Sequence, residues 1–459
     1  MSIESATHRY SYYGLVLGVL GYGSLLTRLA SGHDFLNSYP FVGADGFDWL
    51  YEGLFVYERL RGYCAPHLWL LRDPGFVLVC ALDMALRAHG LVVIFTHTLS
   101  FLVTGLVLLR AATWYSVPPV VAAAVTSMTL LHPLNYVRLF ILADPMAVAF
   151  LTLSTYAMLR HLRTLSIPAL ALSGVFALIG GLTQIYAAIP FIIGIVVSGA
   201  AHTYAKRHVS QICVTFVAFG ALLIALQLAW RAAVPHEVLP KRFGFLEPSL
   251  GMTGFYATVW TVAYVPLLPA AAAALWSWFR SGRAFHTEAF FLGATAVTYA
   301  ILTFFYQWAE VRFTFIYQPI VLLLLIVLCA RGAPTLSMKK PRQWHLVNAG
   351  AVCSAVLVAV SVALMPLAYY GTPRITASPR SSWLVDAWRV RPVDRFGLGA
   401  SPSATMYSQA TMPAFGPYAA RIVRSYLTLR TRQEDRRSGV NEETTRISPS
   451  ATEAGCREE

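Results

Sequence analysis

Residues 209–230 read VSQICVTFVAFGALLIALQLAW, without a single Asp, Glu, Lys or Arg. An α-helix needs about 20 predominantly apolar residues to cross a hydrocarbon core roughly 30 Å thick, so this stretch predicts a transmembrane span. Marking every stretch of the same kind gives about eleven: 10–30, 91–112, 117–133, 139–159, 168–185, 187–204, 209–230, 258–279, 288–306, 312–330 and 345–366. The first is read as a span and not as a cleavable signal peptide, because Tyr10 to Ala30 is too long and no small-residue cleavage site follows it. The expected fold class is therefore an all-α polytopic membrane protein.

Composition points the same way. Of 459 residues 57% are apolar and only 12% charged, with a mean hydropathy of +0.57. Soluble domains carry about a quarter charged residues, so a soluble enzyme, a disordered scaffold and a secreted disulfide mini-domain are excluded. The net charge of +13 would suggest nucleic acid in a soluble protein, but here its location decides its meaning. Six cysteines show no CxxC and no paired spacing, which leaves them as small buried hydrophobes.

With the N-terminus inside, the cytoplasmic side collects Arg9, Arg110, Arg160, Arg163, Lys206, Arg207, Arg280, Arg283, Arg331, Lys339, Lys340 and Arg342, which is 12 of the 22 basic residues before 367. Five of the other ten (Arg28, Arg59, Arg61, Arg72, Arg87) belong to the long first loop, so short loops divide 12 to 5, as the positive-inside rule requires. Acids are more lopsided still. Eleven of the 13 in the same stretch fall outside, Glu4 and Glu288 being the exceptions. Acidic residues do not orient membrane proteins, so another reason must hold them on one face.

Three parts depart from the apolar background of a transmembrane domain over 1–366. The outer loop 31–90 carries Asp34, Asp45, Asp48, Glu52, Glu58 and Asp73, and its segments 46–61 and 75–89 read as amphipathic helices along the membrane surface. The loop 231–257 holds Lys241, Arg242 and Glu247. The tail divides into 367–430, expected as a small extracytoplasmic cap around Trp383 to Trp388, and 431–459, polar and expected to be disordered.

The densest chemistry is Gly43-Ala44-Asp45-Gly46-Phe47-Asp48-Trp49-Leu50-Tyr51-Glu52. A helix beginning near Gly46 sets Asp45 and Asp48 on one face, with Glu52 a turn further on. Carboxylates at a membrane surface can act as general bases, hold a metal or bind a sugar hydroxyl. An N-cap at Asp45 with Asp48 in the first turn explains the same pair, and a capping acid can also be catalytic. Asp144, six residues after Arg138, falls in the outer third of the fourth span; it either pairs with Arg138 or lines a cavity. Glu310-Val311-Arg312-Phe313 joins spans nine and ten on the same side. Its arginine suits a phosphate oxygen, or pairs with Glu310 at the surface. Arg72, Lys241 and Arg242 are further outer cations that suit lipid headgroups as readily. His97, between two threonines, reads as a hydrogen-bonded core residue, and Thr183-Gln184 after Gly180-Gly181 as a helix-breaking turn.

A first span, a long outward loop with an early acidic pair and surface helices, then many spans on short loops resembles the GT-C membrane glycosyltransferases. Asp45-Gly46-Phe47-Asp48-Trp49-Leu50-Tyr51 looks like their first-loop aspartate motif, and Leu71-Arg72-Asp73-Pro74-Gly75-Phe76 like the Pro-centred segment leading into the second surface helix. Arg138 through Asp144-Pro145 occupies the place of the second-loop acid. Glu310-Val311-Arg312-Phe313, with Pro319 beyond, looks like the acid-x-Arg-Phe element of several mannosyltransferases, although Trp308-Ala309 stand where His-Lys often precedes it.

The resemblance covers about residues 10–330. It implies a polyprenyl-phosphate sugar donor entering from the outer leaflet, with its phosphate on cations such as Arg312. Asp45 or Asp48 would deprotonate the acceptor hydroxyl for an inverting displacement. Glu52, Arg72, Arg138, Asp144, Lys241, Arg242 and Glu310 complete the expected substrate-binding set. Many such enzymes need no metal, so the aspartates do not argue for one, and a divalent ion stays an open alternative. The expected partners are the lipid-linked donor, a glycan, lipid or protein acceptor, and membrane lipids, with no nucleic acid. A secondary transporter or lipid-linked sugar flippase is the rival, but transporters show internal repeats and place substrate near the midplane, and neither pattern is visible. The Arg/Ala-rich composition leans towards a bacterial inner membrane over an endoplasmic reticulum.

Overall fold

The structure is a computed structural model, which describes residues 49, 52–53, 56–57, 60, 72–86, 91–117, 120–122, 124–125, 142–202, 207–234, 264–280, 287–304, 316–330 and 341–364. Those residues are helical apart from turns and caps, and none of them is in a strand. The fold they form is all-α. The expected span 10–30, most of the loop 231–257, and the cap and tail 367–459 lie outside the described residues.

Among the described residues these helices follow in chain order: α1 Pro74–Ala85, α2 Leu91–Trp114, α3 Asp144–Thr164, α4 Ile167–Thr183, α5 Ile185–His202, α6 Arg207–Ala233, α7 Leu268–Arg280 (entered through a 3-10 turn, Val265–Leu267), α8 Thr287–Phe304, α9 Gln318–Leu328 and α10 Pro341–Leu364. Two of them are long and apolar enough to cross a membrane, over Phe95–Trp114 and Ser210–Ala233. Seven shorter apolar helices accompany them, including Ile167–Thr183 and Ile185–Ala200.

Local chemistry sets the turns. α3 begins at Asp144 with Pro145 in its first turn, where a missing N–H leaves no intrahelical bond unmade. The acid therefore opens the helix and is not inside a span starting at 139, as the sequence reading has it. α3 ends where Leu165 takes a left-handed conformation (φ 54°) and donates its N–H to His161 O at 2.7 Å. The next residue, Ser166, caps α4 by accepting from Ala169 N. α4 and α5 are separated by Gln184 alone, extended at φ −154°, so the break expected after Gly180-Gly181 is a one-residue turn.

Small residues let the helices approach. The hydroxyls of Ser154 and Ser173 each donate to the other's carbonyl at 2.7 Å, clasping α3 to α4. Such reciprocal bonds are the usual adhesive between helices that lack a hydrophobic driving force. The Tyr299 hydroxyl of α8 donates to Ala187 O of α5, and its ring stacks on Tyr317, which stacks in turn on Tyr264.

Apolar side chains fill the core and also face outward. On α6 only a narrow stripe, Ile212, Phe216, Leu223 and Gln227, is buried, while Val214, Val217, Leu222, Ile224, Leu226 and Leu228 face outward. α1 differs from the amphipathic expectation in the same sense. It buries Phe76, Val77, Cys80 and Asp83 and presents Leu78 and Leu82 outward, with Leu86 exposed just past its end, so its outer stripe is apolar too.

Candidate functional site

The helix polarities bring the N-termini of α2, α3 and α5 to one end of the bundle, joined by the C-termini of α4 and α6. Each N-terminus carries partial positive charge from unpaired amide groups. Four of the five described carboxylates gather there and are buried: Glu52, Asp73, Asp83 and Asp144. The fifth, Glu288, sits at the far end. A helix of 21 residues such as α3 puts roughly 30 Å between the two ends.

The stretch before α1 is the centre of this constellation. Glu52, only 1% exposed, accepts the Arg72 backbone N–H with both carboxylate oxygens, at 2.9 and 2.7 Å. The Arg72 carbonyl accepts from Trp230 Nε1 of α6 at 3.1 Å. Asp73 then bridges two helices. Its Oδ2 accepts from the N–H of Ile185, the first residue of α5, and its Oδ1 from Gln227 Nε2 of α6, both at 2.9 Å. Gln227 also reaches Gly181 O at 3.4 Å. Asp83 does for α2 what Asp73 does for α5, accepting Val92 N–H at 2.9 Å.

Two glycines permit the approach. A Cβ on Gly75 would stand 2.9 Å from Thr183 Oγ1 and 3.0 Å from Leu182 O, so only glycine lets α1 start against the end of α4. A Cβ on Gly53 would meet Cys80 of α1, 2.8 Å from its backbone carbonyl carbon. Beneath them lies a separate small core of Trp49, Phe76, Val77, Cys80, Val93 and Ala143. Trp49 meets Phe76 edge-on at 5.2 Å, Phe76 stacks on His97 at 5.6 Å, and the Arg72 guanidinium lies 5.5 Å from the Trp49 ring centre. His97 Nε2 is 2.9 Å from Leu142 O, the hydrogen-bonded core role its sequence context suggests.

Burial is the main influence on the Asp73 carboxyl and pushes it up to about 6 from an ordinary 3.8. The Ile185 N–H, Gln227, Arg72 and Arg231 each pull it part of the way back. This end of the molecule therefore holds a carboxylate near its own titration point at neutral pH, as functional sites tend to do.

Of the residues singled out from sequence, the structure brings Glu52 and Arg72 into direct contact and sets Asp144 at the same end. Asp45, Asp48, Arg138, Lys241, Arg242, Glu310 and Arg312 lie outside the described residues. Asp48 immediately precedes Trp49, which is anchored in the small core with 2% exposure. Asp73, Asp83, Gln227 and Trp230 are members that sequence reading passed over as site residues. Gln227 left a signal, being the one amide in the last half of a charge-free apolar run. Among the described residues no group of three His, Cys, Asp or Glu is placed to hold a metal ion.

Comparison with protein-family models, with curated proteins and with solved structures finds no match to this chain. The class is defined by the chain itself: an all-α bundle with helices fit to cross a membrane and its buried carboxylates collected at one end.

Proposed function

We propose that this protein is a multi-pass integral membrane glycosyltransferase of the GT-C kind. It transfers a sugar from a polyprenyl-phosphate donor to a glycan, lipid or protein acceptor on the non-cytoplasmic side of a bacterial inner membrane, with inversion. The observation that carries this reading is the docking of the first-loop helical residues, through Trp49 and Glu52, onto the end of the bundle where the helix N-termini converge. That end pairs acids with a positive helix-end field suited to a lipid phosphate. The outward apolar faces of α1 and α6 are the surfaces a bilayer would wet.

Glu52, Asp73 and Asp83 are engaged in holding backbone N–H groups. The general base in this reading is Asp45 or Asp48, as the resemblance to the GT-C enzymes implies, one of which takes the acceptor proton as the hydroxyl oxygen attacks the anomeric carbon. The phosphate leaves on cations, with Arg312 foremost and Arg138, Lys241 and Arg242 as supports. Glu310 and Asp144 complete the substrate-binding set.

The test is donor turnover by purified protein in detergent, using radiolabelled polyprenyl-phosphate mannose, glucose or arabinose and a crude membrane acceptor extract. One donor should turn over, and Asp45→Asn or Asp48→Asn should abolish it in a folded protein. Turnover indifferent to both variants removes the aspartate mechanism. Transbilayer flux of a lipid-linked sugar without any transfer assigns the protein to transport instead.

A further inference from the structure

Asp73 belongs to no role in the reaction just described, yet it ties together distant parts of the chain. Its two oxygens join three separate pieces of chain: the segment entering α1, the first amide of α5, and the side chain of Gln227 on α6. These contacts span 112 and 154 residues of sequence. The neighbouring Arg72 is held by the same helices, through Trp230 on its carbonyl and Glu52 on its N–H. A buried carboxylate is an expensive way to fix a loop, since an apolar contact would do so without desolvating a charge.

We propose that Asp73 is a positioning residue for the transferase site: its carboxyl group locks the segment 72–74 onto α5 and α6, and thereby fixes the first-loop helical residues that lead from the catalytic acids. This rests on the function proposed above. A carboxylate accepts from Ile185 N–H and Gln227 Nε2 together. A protonated carboxyl keeps both partners too, once the Gln227 amide rotates to offer its oxygen and gives up its contact with Gly181 O. The charged groups that bear on Asp73 are Arg72 from its own segment and Arg231 from α6. The α4–α5 turn contributes only neutral groups among the described residues, Thr183, Gln184 and Tyr186. Burial raises this carboxyl to about 6, so the docked segment holds the proton more tightly than a solvated one would, and mild acid does not release it.

The experiment uses the full chain in detergent and the donor that the wild type turns over. Asp73→Ala and Gln227→Leu should each lower kcat ten- to a hundredfold with KM changed less than threefold. Asp73→Asn keeps both ties once the Gln227 amide rotates. It should stay within about threefold of wild-type kcat at pH 7.5. Wild-type kcat in both tie-cutting variants, or a kcat in Asp73→Asn as low as that of Asp73→Ala, overturns the proposal. Hydrogen–deuterium exchange gives a readout independent of transfer. Amides of 72–86 should exchange about tenfold faster in Asp73→Ala and Gln227→Leu than in wild type at pH 7.5, and unchanged protection in both overturns the lock. A wild type that turns over no donor refutes the function proposed above, and the exchange result alone then decides the lock. Gln227→Leu keeps the test open if Asp73→Ala does not fold.

Discussion

The two ends of the bundle handle charge in opposite ways. At the Asp73 end, carboxylates are buried, with both oxygens of Glu52 and Asp73 and Oδ1 of Asp83 held by a backbone N–H or an amide. At the other end, Arg163 remains 37% exposed and lies over the rings of Trp114 and Tyr115 at 4.9 and 4.6 Å, with Glu288 Oε1 a loose 3.8 Å away. The second arrangement is what a helix C-terminus wants: a cation near the last carbonyls, kept wet and resting on aromatic faces. It requires no other explanation. The first holds acids where desolvation works against them, and stability alone does not call for that. On the function proposed above, the Asp73 end is the active one.

Substitutions at the two ends should therefore differ in size and in kind. The largest effect falls on transfer itself, where removal of the general base, Asp45→Asn or Asp48→Asn, should lower kcat by about 10²–10⁴-fold while Tm in detergent is unchanged. Both variants retaining full activity would erase the distinction between the ends.

Next comes the small core beneath the first loop. Phe76→Ala removes a fully buried ring that touches Trp49 and His97 and should cost about 3–5 kcal/mol, read by denaturant or thermal unfolding. Loss below about 1 kcal/mol would mean that the first-loop helical residues are not packed there.

Asp73→Asn sharpens the comparison because its sign is unusual. The folded carboxyl titrates at about 6 against an ordinary 3.8, so the folded protein holds this proton more tightly than the unfolded chain does. The group's contribution to stability is greatest below about pH 4. It falls as pH rises to about 6 and is constant above that. The amide escapes this loss, so Asp73→Asn should be more stable at pH 7.5, by on the order of 1–3 kcal/mol. The gain should shrink below pH 6 and vanish near pH 4. A variant destabilised at pH 7.5 would show that the ionised form is favoured by its partners after all.

The smallest effect belongs to the other end. Glu288→Gln breaks a long, partly solvated pair and should change stability by less than about 1 kcal/mol, with transfer untouched.

How much of this was legible in the sequence differs by element. The helices were, because their signal is local: an uninterrupted apolar run over 209–230, a double glycine ahead of the α4–α5 turn. His97 was also legible, as a polar ring flanked by threonines in an apolar run. The acidic bias of one face was visible, but its cause was not. Asp73 meets partners 112 and 154 residues away, and no pattern within a window of sequence reports such a pairing. Glu52 was read as a substrate ligand from its spacing to Asp48, whereas its oxygens hold the Arg72 amide, a contact 20 residues distant. Asp144 was placed inside a span because hydropathy continues upstream through 139–143, where periodicity alone could not see that Pro145 starts the helix.

The most direct measurement is initial-rate sugar transfer from a radiolabelled polyprenyl-phosphate donor by five proteins purified in the same detergent: wild type, Asp45→Asn, Asp48→Asn, Arg163→Gln and Glu288→Gln. The expected result is transfer by the wild type, abolished by one or both aspartate variants and retained by the two variants of the opposite end. Transfer that survives both aspartate variants, or that is lost on changing Arg163 or Glu288 in a folded protein, would contradict the assignment of the active end.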